Sequence, residues 1–283
     1  MKAFVFGSTG MLGHAVVSEL RAAGVNTVTV ARAGADIAFD QEKQSVFELA
    51  LGLEAGDYLI NCIGLISHLI DEKDPASRAR ASNLNSLLPN ELAALAESKS
   101  ARLIQIATDC VFSGSTGNYS EDSPHDASDV YGKSKSMGEV DSPNAMHLRV
   151  SIIGKELRGK KSLLEWVLGQ PKHSTIPGFT DRIWNGITTK AFGGLIVGII
   201  SKDGFSPGVT HVLPADKVSK FELVSMIASS FDRSDISVVP AVSGEEKDLT
   251  LATNRPETNR KLWLDAGYPQ IPSIEQLLGE ISR

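Results

Sequence analysis

A tyrosine and a lysine stand four residues apart in the segment YGKSK, at Tyr131 and Lys135. On a helix, this spacing places both side chains on one face. An ammonium group near a phenol favours the phenolate and lowers the pKa of the tyrosine. Such a tyrosine can donate its proton to a carbonyl oxygen while hydride arrives at the carbon, and the lysine can hold the ribose of the hydride donor. An exposed helical pair has the same spacing, so the interpretation depends on the motifs around it.

A glycine-rich turn with the sequence GSTGMLG occupies residues 7–13, between the first apolar run and the first helical pattern. Glycines three residues apart let the backbone approach a pyrophosphate, which then lies at the N-terminus of the helix. We therefore predict that this turn binds a dinucleotide. The alternative is a tight connection between strand and helix that binds no ligand.

The charge that follows the second predicted strand indicates which dinucleotide is bound. An acidic residue there accepts hydrogen bonds from the adenosine ribose of NAD, whereas an arginine can hold the 2′-phosphate of NADP. Arg32 stands at this place, which favours NADP(H) over NAD(H). Asp36 and Asp40 follow and can still reach the ribose. The alternative for Arg32 is a solvated surface charge.

Thr108 follows a short apolar run at residues 102–107, at the edge where open α/β sheets bind ligands. Its hydroxyl can hydrogen-bond a substrate carbonyl and stabilise the charge that develops on the oxygen. A threonine that only caps the following turn is the alternative.

These motifs require a framework of alternating strands and helices, which the first half of the chain predicts. Short apolar runs predict strands at residues 2–6, 26–30, 58–63, 102–107 and 146–150. Helical patterns lie at 14–23, 45–53 and 75–99, where Pro89 marks a kink or a break. The alternation predicts an α/β fold with a Rossmann-type, doubly wound parallel sheet. The Gly-, Ser- and Asp-rich segment 108–130 is predicted to be a functional loop.

The second half of the chain is less regular and predicts a smaller C-terminal substrate lobe. Helices are expected at 163–168, 190–201 and 220–231, a strand at 209–213 and a loop at 170–185. We predict that residues 1–150 form an NAD(P)-binding domain, completed by a strand and a helix from about 187–213. Residues 151–283 would form the substrate lobe, interleaved with that domain.

The composition excludes several other classes of protein. With 283 residues, 42% apolar and 22% charged, the chain is neither disordered nor a coiled coil. A net charge of -6 argues against a nucleic-acid partner. The sequence shows no export or membrane segment, so we expect a cytoplasmic protein without a membrane partner. Its two cysteines, Cys62 and Cys110, predict neither a disulfide framework nor a metal site.

The three motifs, in this order, resemble the extended short-chain dehydrogenase/reductase superfamily. The resemblance narrows to the dTDP-4-dehydrorhamnose reductase branch over TDCVFSG at 108–114, YSE at 119–121, Pro124, VYGKSK at 130–135 and Gly138-Glu139. Weaker matches are Asn85 with Pro89, LRVS at 148–151, and Arg255-Pro256 with Asn259. The chain departs from the branch at Ile152, where an aromatic residue is common, and at RIWNG in 182–186.

The resemblance implies an oxidoreductase that uses NAD(P)H to reduce a keto group on a nucleotide-activated deoxysugar, serving surface polysaccharide or related sugar biosynthesis. A homodimer is compatible with it. It implies that Thr108, Tyr131 and Lys135 are catalytic. The cofactor would be held by Gly7, Thr9, Gly10, Met11, Leu12, Arg32, Asp40, Cys62, Ile63, Gly64, Tyr131, Lys135 and Ser151. The substrate would contact Thr108, Val111, Phe112, Tyr131 and Trp184.

Three points stay open at the level of the sequence. Trp184 can stack on a sugar or a base, or it can be a structural tryptophan between lobes. An NAD-dependent sugar-nucleotide epimerase or dehydratase would keep the same cofactor and Tyr–Lys pair. A non-catalytic, cofactor-binding regulatory subunit is a further alternative, because the fold alone proves no catalysis.

Overall fold

The first strand, Ala3–Phe6, consists of four apolar residues that are completely buried. Apolar side chains on both faces are required where helices cover both sides of a parallel sheet. The strands at Tyr58–Asn61 and Ala145–Arg149 are buried throughout in the same way. In this computed structural model, which describes residues 1–245 and 247–282, seven parallel strands form one central sheet.

The elements are numbered in chain order. The strands are β1 (Ala3–Phe6), β2 (Thr27–Ala31), β3 (Ile37–Ala38), β4 (Tyr58–Asn61), β5 (Arg102–Ala107), β6 (Ala145–Arg149), β7 (Ile152–Ile153), β8 (Thr175–Phe179), β9 (Arg182–Trp184), β10 (Ile187–Thr188), β11 (Gly208–His211), β12 (Val218–Ser219), β13 (Ser237–Ala241) and β14 (Lys247–Asp248). The α-helices are α1 (Met11–Ala22), α2 (Pro75–Ser82), α3 (Leu88–Ser98), α4 (Val130–Ser136), α5 (Leu163–Leu168), α6 (Thr189–Ser201), α7 (Lys220–Ser230), α8 (Pro256–Asp265) and α9 (Ile274–Ser282). Short 3-10 helices lie at Val46–Glu48, Ser67–Leu69 and Asp109–Val111, and a π-helical turn at Asn83–Leu87 joins α2 to α3.

The central sheet has the strand order β3-β2-β1-β4-β5-β6-β11. The chain runs outward from β1 in one direction and then returns to continue from β4 in the other. Phe6 at the end of β1 therefore lies between Val30 of β2 and Asn61 of β4. This reversal is the place where doubly wound sheets bind ligands, beyond the carboxyl ends of the strands. The predicted Rossmann-type, doubly wound parallel sheet is confirmed.

Helices cover both faces of the sheet. One core includes Val16 and Leu20 of α1 with Leu195 of α6, and the opposite core includes Leu88 and Leu92 of α3. Helix α6 is a regular helix in spite of its glycines, as predicted from the sequence. A Cβ atom at Gly193 would lie 2.8 Å from the side chain of Glu19 in α1, so the glycine permits the close packing of the two helices.

A second layer of structure stands beside the carboxyl edge of the sheet. It contains two small parallel pairs, β7 with β10 and β8 with β13, and a three-stranded sheet in the order β12-β9-β14. Its core is formed mainly by α5, α7 and α9, which contribute Leu164, Leu223 and Leu278. Strand β11 instead extends the central sheet beside β6. In the described part of the chain, no helix is long and apolar enough to cross a membrane.

Two predicted elements differ from the structure, and a third contains the interruption that was predicted near Pro89. The predicted loop 170–185 contains β8 and β9, which the turn-forming Pro177 and Gly178 conceal in the sequence. Gly178 is required there because a Cβ atom would lie 2.6 Å from Cα of Phe221. The predicted helix 45–53 is reduced to one 3-10 turn. The predicted helix 75–99 is divided by the π-helical turn that precedes Pro89.

Candidate active site

The glycine-rich turn leaves backbone amides exposed at the start of α1. Gly7 adopts a φ of 76°, and its amide donates to the carbonyl of Val30 over 2.8 Å. A Cβ atom at Gly13 would lie 2.1 Å from the carbonyl oxygen of Gly7, so only glycine lets the helix approach the turn. Gly10 precedes the helix and offers no side-chain cap. The backbone amides of Thr9, Met11 and Leu12 can therefore bind an anion, as a pyrophosphate-binding turn requires.

Beyond β2, the acidic side chains are engaged with the protein itself. Oδ2 of Asp36 accepts hydrogen bonds from the amide (2.9 Å) and hydroxyl (2.7 Å) of Thr29, which lower the pKa of Asp36. Asp40 forms an ion pair with Lys43 at 3.4 Å. Arg32 directly follows β2 and is exposed. At this strand end, Arg32 is therefore the charged side chain that is most available to bind a ligand.

The loop that follows β4 lies next to the glycine-rich turn. Cys62 donates its amide hydrogen to the carbonyl of Phe6 over 3.0 Å. A Cβ atom on Gly7 would come within 2.9 Å of the Ile63 side chain. Burial raises the pKa of the Cys62 thiol to about 12, so this thiol is neutral near neutral pH. The predicted cofactor residues Cys62, Ile63 and Gly64 thus lie at the switch point of the sheet.

Asn85 connects this loop to helix α4. In the sequence, Asn85 together with Pro89 is part of the family resemblance, without an assigned structural role. Its Oδ1 accepts the amide of Leu65 (2.8 Å), and its Nδ2 donates to the carbonyl of Leu65 (2.9 Å) and the hydroxyl of Ser134 (3.0 Å). Asn85 lies within the π-helical turn. A Cβ atom at Gly138 would lie 2.0 Å from the carbonyl oxygen of Asn85. Close packing at this turn therefore positions α4.

Thr108 ends β5 and caps the 3-10 turn that follows. Its Oγ1 accepts from the amide of Cys110 (3.2 Å) and donates to Oδ1 of Asp109 (3.0 Å). Thr108 therefore does cap the turn, which was the alternative that the sequence left open for it. Its side chain also lies close enough to Tyr131 to lower the pKa of the phenol. Thr108 thus caps the turn and also lies beside Tyr131, the candidate proton donor.

Helix α4 brings Tyr131 and Lys135 to this strand end. Its first turn is capped by Asp129, which accepts the amide of Gly132 over 2.8 Å. A Cβ atom at Gly132 would lie 2.4 Å from the carbonyl oxygen of Cys110, so the helix packs directly on the segment after Thr108. The structure thus brings Thr108, Tyr131 and Lys135 together at the carboxyl end of β5.

The electrostatics of the pair differ from the prediction that Lys135 lowers the pKa of the phenol. Burial and the nearby Cys110 raise the pKa of Tyr131 above its usual value. Nζ of Lys135 donates to the carbonyl of Ile106 over 2.9 Å, and burial lowers the pKa of this ammonium group to about 8. Desolvation is the largest cause of both shifts, so the phenol keeps its proton near neutral pH.

A cavity of about 530 Å³ begins beside this cluster and extends into the second layer. Asp109 and Cys110 lie at one part of its wall. The remaining walls are largely apolar, with three cationic side chains from the second layer: Arg182, Lys220 and Lys247. Such a cavity has the size and composition of a small-molecule site.

Trp184 lines the cavity but has little free surface. Its side chain is 6% exposed, and Nε1 donates to Oγ of Ser151 over 2.8 Å. A Cβ atom at Gly186 would lie 2.4 Å from the indole ring, and the ammonium group of Lys220 lies 5.2 Å from its centroid. The predicted stacking of Trp184 on a sugar or base therefore has no open ring face. The structure favours the alternative of a structural tryptophan.

The side chains of Val111 and Phe112, predicted to contact the substrate, are instead core residues. They are 0% and 1% exposed. Phe112 stacks on Tyr119 with 4.3 Å between ring centroids, and the guanidinium group of Arg149 covers the ring at 5.1 Å. Both side chains pack in the core beneath the loop that follows Thr108, together with Tyr119 and Leu251. The sequence could not show this, because the exposure of an apolar loop residue depends on what packs against it.

A buried ionic network lies beside α4, at the ends of β6 and β11. Arg149, 1% exposed at the end of β6, forms a bidentate ion pair with Glu139 at 3.0 and 2.5 Å. Nη1 contacts His211 (2.7 Å), and Nη2, which also binds Glu139, contacts His125 (2.8 Å). Burial lowers the pKa of His211 to about 4 and also lowers that of His125. Both imidazoles are therefore neutral and accept hydrogen bonds from the arginine.

Two relatives and one family model match the chain. The sequence model of the family described as RmlD substrate binding domain matches residues 1–260. A probable low-salt glycan biosynthesis reductase of Haloferax volcanii is 31% identical over 200 residues, 64% of this chain and 65% of that protein. The dTDP-4-dehydrorhamnose reductase of Mycolicibacterium smegmatis is 25% identical over 231 residues, 77% of this chain and 65% of that protein. This chain thus matches slightly less than two thirds of the length of each relative.

A solved structure shows the same fold. The crystal structure of the dTDP-4-dehydrorhamnose reductase of Bacillus anthracis in complex with NADP has a TM-score of 0.78 and 21% identity, over 99% of both chains. The resemblance found in the sequence motifs is confirmed, because the family model spans most of the chain. The chain belongs to the RmlD substrate-binding-domain family.

Proposed function

We propose that the protein uses NAD(P)H to reduce a keto group on a nucleotide-activated deoxysugar. The observation that carries the proposal is the meeting of Thr108, Tyr131 and Lys135 at the carboxyl end of β5, beside the open cavity. The glycine-rich turn lies two strands away in the sheet, at the end of β1. This arrangement supports a dinucleotide that crosses the switch point and ends near Tyr131.

In this proposal, the bound cofactor supplies the hydride and the chain supplies the proton. Tyr131 keeps its proton near neutral pH because its pKa is raised, so it can donate to the carbonyl oxygen as negative charge develops there. Thr108 donates its hydroxyl hydrogen to Oδ1 of Asp109 in the structure, and rotation of this hydroxyl would redirect the hydrogen to the same carbonyl oxygen. Lys135, protonated below a pKa of about 8, stabilises the phenolate that Tyr131 leaves and holds the ribose.

Of the two cofactors, the proposal favours NADP(H). Arg32 is exposed at the end of β2, where a 2′-phosphate is recognised. Asp36 and Asp40, the acidic residues that would favour a free ribose, are held by Thr29 and Lys43. The related B. anthracis reductase is in complex with NADP.

For the substrate, we assign the cavity to the nucleotide sugar. The M. smegmatis relative is a dTDP-4-dehydrorhamnose reductase, and the H. volcanii relative is a glycan biosynthesis reductase. We divide the chain accordingly: residues 1–150 with α6 and β11 bind the cofactor, and the remaining residues after 150 bind the substrate. The cationic side chains of the cavity suit the negative charge of a nucleoside diphosphate.

The proposal is tested by following NADPH and NADH consumption with a panel of nucleotide 4-keto-sugars. A general acid contributes about 10²–10⁴-fold, so Tyr131→Phe should lower kcat/KM at least a hundredfold. Tyr268→Phe is the matched control, because Tyr268 bonds Glu280 away from the site. Full activity of Tyr131→Phe would refute the assigned role. Tightly retained NAD without net consumption would instead identify an epimerase or dehydratase.

The cofactor preference has its own test. Arg32→Ala should weaken NADPH binding and leave NADH binding nearly unchanged, because only NADPH carries the 2′-phosphate. Lys99→Ala removes an exposed cation after α3 and serves as the control. If the wild-type protein binds NADH far more tightly than NADPH, Arg32 does not hold a phosphate.

A further inference from the structure

Lys220 is a cation that lines the cavity and forms no ion pair with the residues that the structure describes. It is the first residue of α7, and it lines the cavity together with Asp109. Asp109 is close enough to favour the charged lysine, but its Oδ1 accepts from Thr108 and lies 3.4 Å from the sulfur of Cys110. Among residues 1–245 and 247–282, Lys220 forms neither a hydrogen bond nor an ion pair. By contrast, Arg182 in the same wall is paired with Glu245 at 3.1 Å.

The position of Lys220 is unfavourable for a charge. Burial lowers the pKa of its ammonium group to about 8. A half-buried charge without a hydrogen-bond partner costs free energy, and a bound anion would offset that cost. This penalty, at a residue that lines the cavity, indicates a ligand rather than a contribution to stability.

Trp184 provides a rigid platform under this ammonium group. The indole is held by its hydrogen bond to Ser151 and by the contact with Gly186. The ammonium group lies 5.2 Å from the ring centroid, within the range of a cation–π interaction. The tryptophan therefore directs the lysine rather than contacting a ligand through its own ring.

We propose that Lys220 binds an oxyanion of the substrate in the cavity, and that Trp184 is a positioning residue for Lys220. The class of ligand rests on the proposed function, since a nucleotide sugar carries its diphosphate and, in sugar acids, a carboxylate. Lys220 lies near Asp109 and Cys110, which directly follow Thr108. The anion would thus anchor the substrate at the part of the cavity that adjoins the candidate catalytic residues.

The test measures binding and does not require turnover. Isothermal titration calorimetry is carried out on the full chain saturated with NADPH, using dTDP, UDP, UDP-glucose and UDP-glucuronate. A charged hydrogen bond supports about ten- to hundredfold in affinity, which Lys220→Met should lose. Lys220→Arg keeps the charge and should retain affinity within about threefold. Lys202→Met, at an exposed lysine after α6, is the control.

The ligands distinguish the two sources of the oxyanion. Equal losses for UDP, UDP-glucose and UDP-glucuronate identify the diphosphate, whereas a loss confined to UDP-glucuronate identifies the carboxylate. The proposal is overturned if all affinities of Lys220→Met stay within about threefold of wild type, or if none of the ligands binds the wild-type protein. The anion site and the proposed function can fail separately. If Lys220→Met loses anion binding but the wild-type protein reduces no keto-sugar, the proposed function is refuted and the anion site is retained.

A double-mutant cycle tests the platform. Trp184→Leu should weaken binding of the anion in the wild-type background and have no further effect when Lys220 is already Met, because the two residues act through one interaction. Equal losses in both backgrounds would show that Trp184 acts independently of Lys220. Thermal melting of each variant confirms that the compared proteins are folded.

Discussion

Replacing Glu139 with glutamine should strongly destabilise the protein. Both carboxylate oxygens of Glu139 bind Arg149, which is 1% exposed, and the further hydrogen bonds of the guanidinium group go to two neutral imidazoles. Glu139→Gln keeps the shape but leaves the arginine as a buried charge without a counter-ion. Breaking a buried pair in this way costs about 3–5 kcal/mol. At about 2 °C per kcal/mol in a chain of this size, Tm should fall by about 6–10 °C.

Urea unfolding at pH 7.5, followed by far-UV circular dichroism, measures the loss directly. The matched control is Glu245→Gln, because Glu245 also pairs with an arginine but is 80% exposed. An exposed pair contributes at most about 1 kcal/mol, so the control should change little. If the free energy of unfolding of Glu139→Gln lies within about 1 kcal/mol of the wild-type value, Glu139 is not the counter-ion on which the buried Arg149 depends.

The same substitution has a second readout in catalysis. Glu139 favours the charged form of Lys135, against the burial that lowers the lysine pKa to about 8. Its removal should lower that pKa further. The alkaline limb of the kcat profile should therefore move to lower pH in Glu139→Gln, whereas a purely structural effect would lower activity equally at every pH.

Three other perturbations follow from the structure. His211 has a pKa of about 4 when folded and about 6.5 when unfolded, so the unfolded chain binds more protons between these values. The free energy of unfolding should therefore fall by up to about 3 kcal/mol from pH 6.5 to pH 4, and fall less in His211→Gln, as measured by urea titration at each pH. Gly13→Ala would put a Cβ atom 2.1 Å from the Gly7 carbonyl and should abolish NADPH binding by calorimetry, whereas Gly194→Ala in an open position of α6 should be neutral or stabilising. Lys220→Met removes an uncompensated buried charge and should raise Tm without ligand by about 2–5 °C, while a lower Tm would mean that the lysine is stabilised within the fold.

Most strands of the central sheet were predictable because they are short, largely apolar segments, although β3 was not predicted. Residues 102–107, for example, were predicted to form a strand, and β5 has these bounds. The short strands of the second layer were not predictable in the same way. β8 contains Pro177 and Gly178, and its partner β13 lies about sixty residues further along the chain. Such strands exist through a distant pairing, which a local pattern cannot show.

The residue types of the candidate site were predictable, but their environment was not. Tyr131, Lys135 and Thr108 lie together as their motifs suggested, since parallel strands end at one edge. Their pKa values depend on burial, which reversed the expected direction for Tyr131. Phe112 was assigned to the substrate through the family resemblance, yet Tyr119 and Arg149 enclose it. Tertiary packing decided each of these differences.

The π-helical turn at Asn83–Leu87 makes the length of one helix part of the site. Such a turn holds an extra residue relative to an α-helix. Deleting one residue there would restore a regular helix and remove the bulge that contains Asn85. Asn85 would then leave both the β4 loop and Ser134. In this helix, a deletion of one residue should therefore change the site more than most substitutions do.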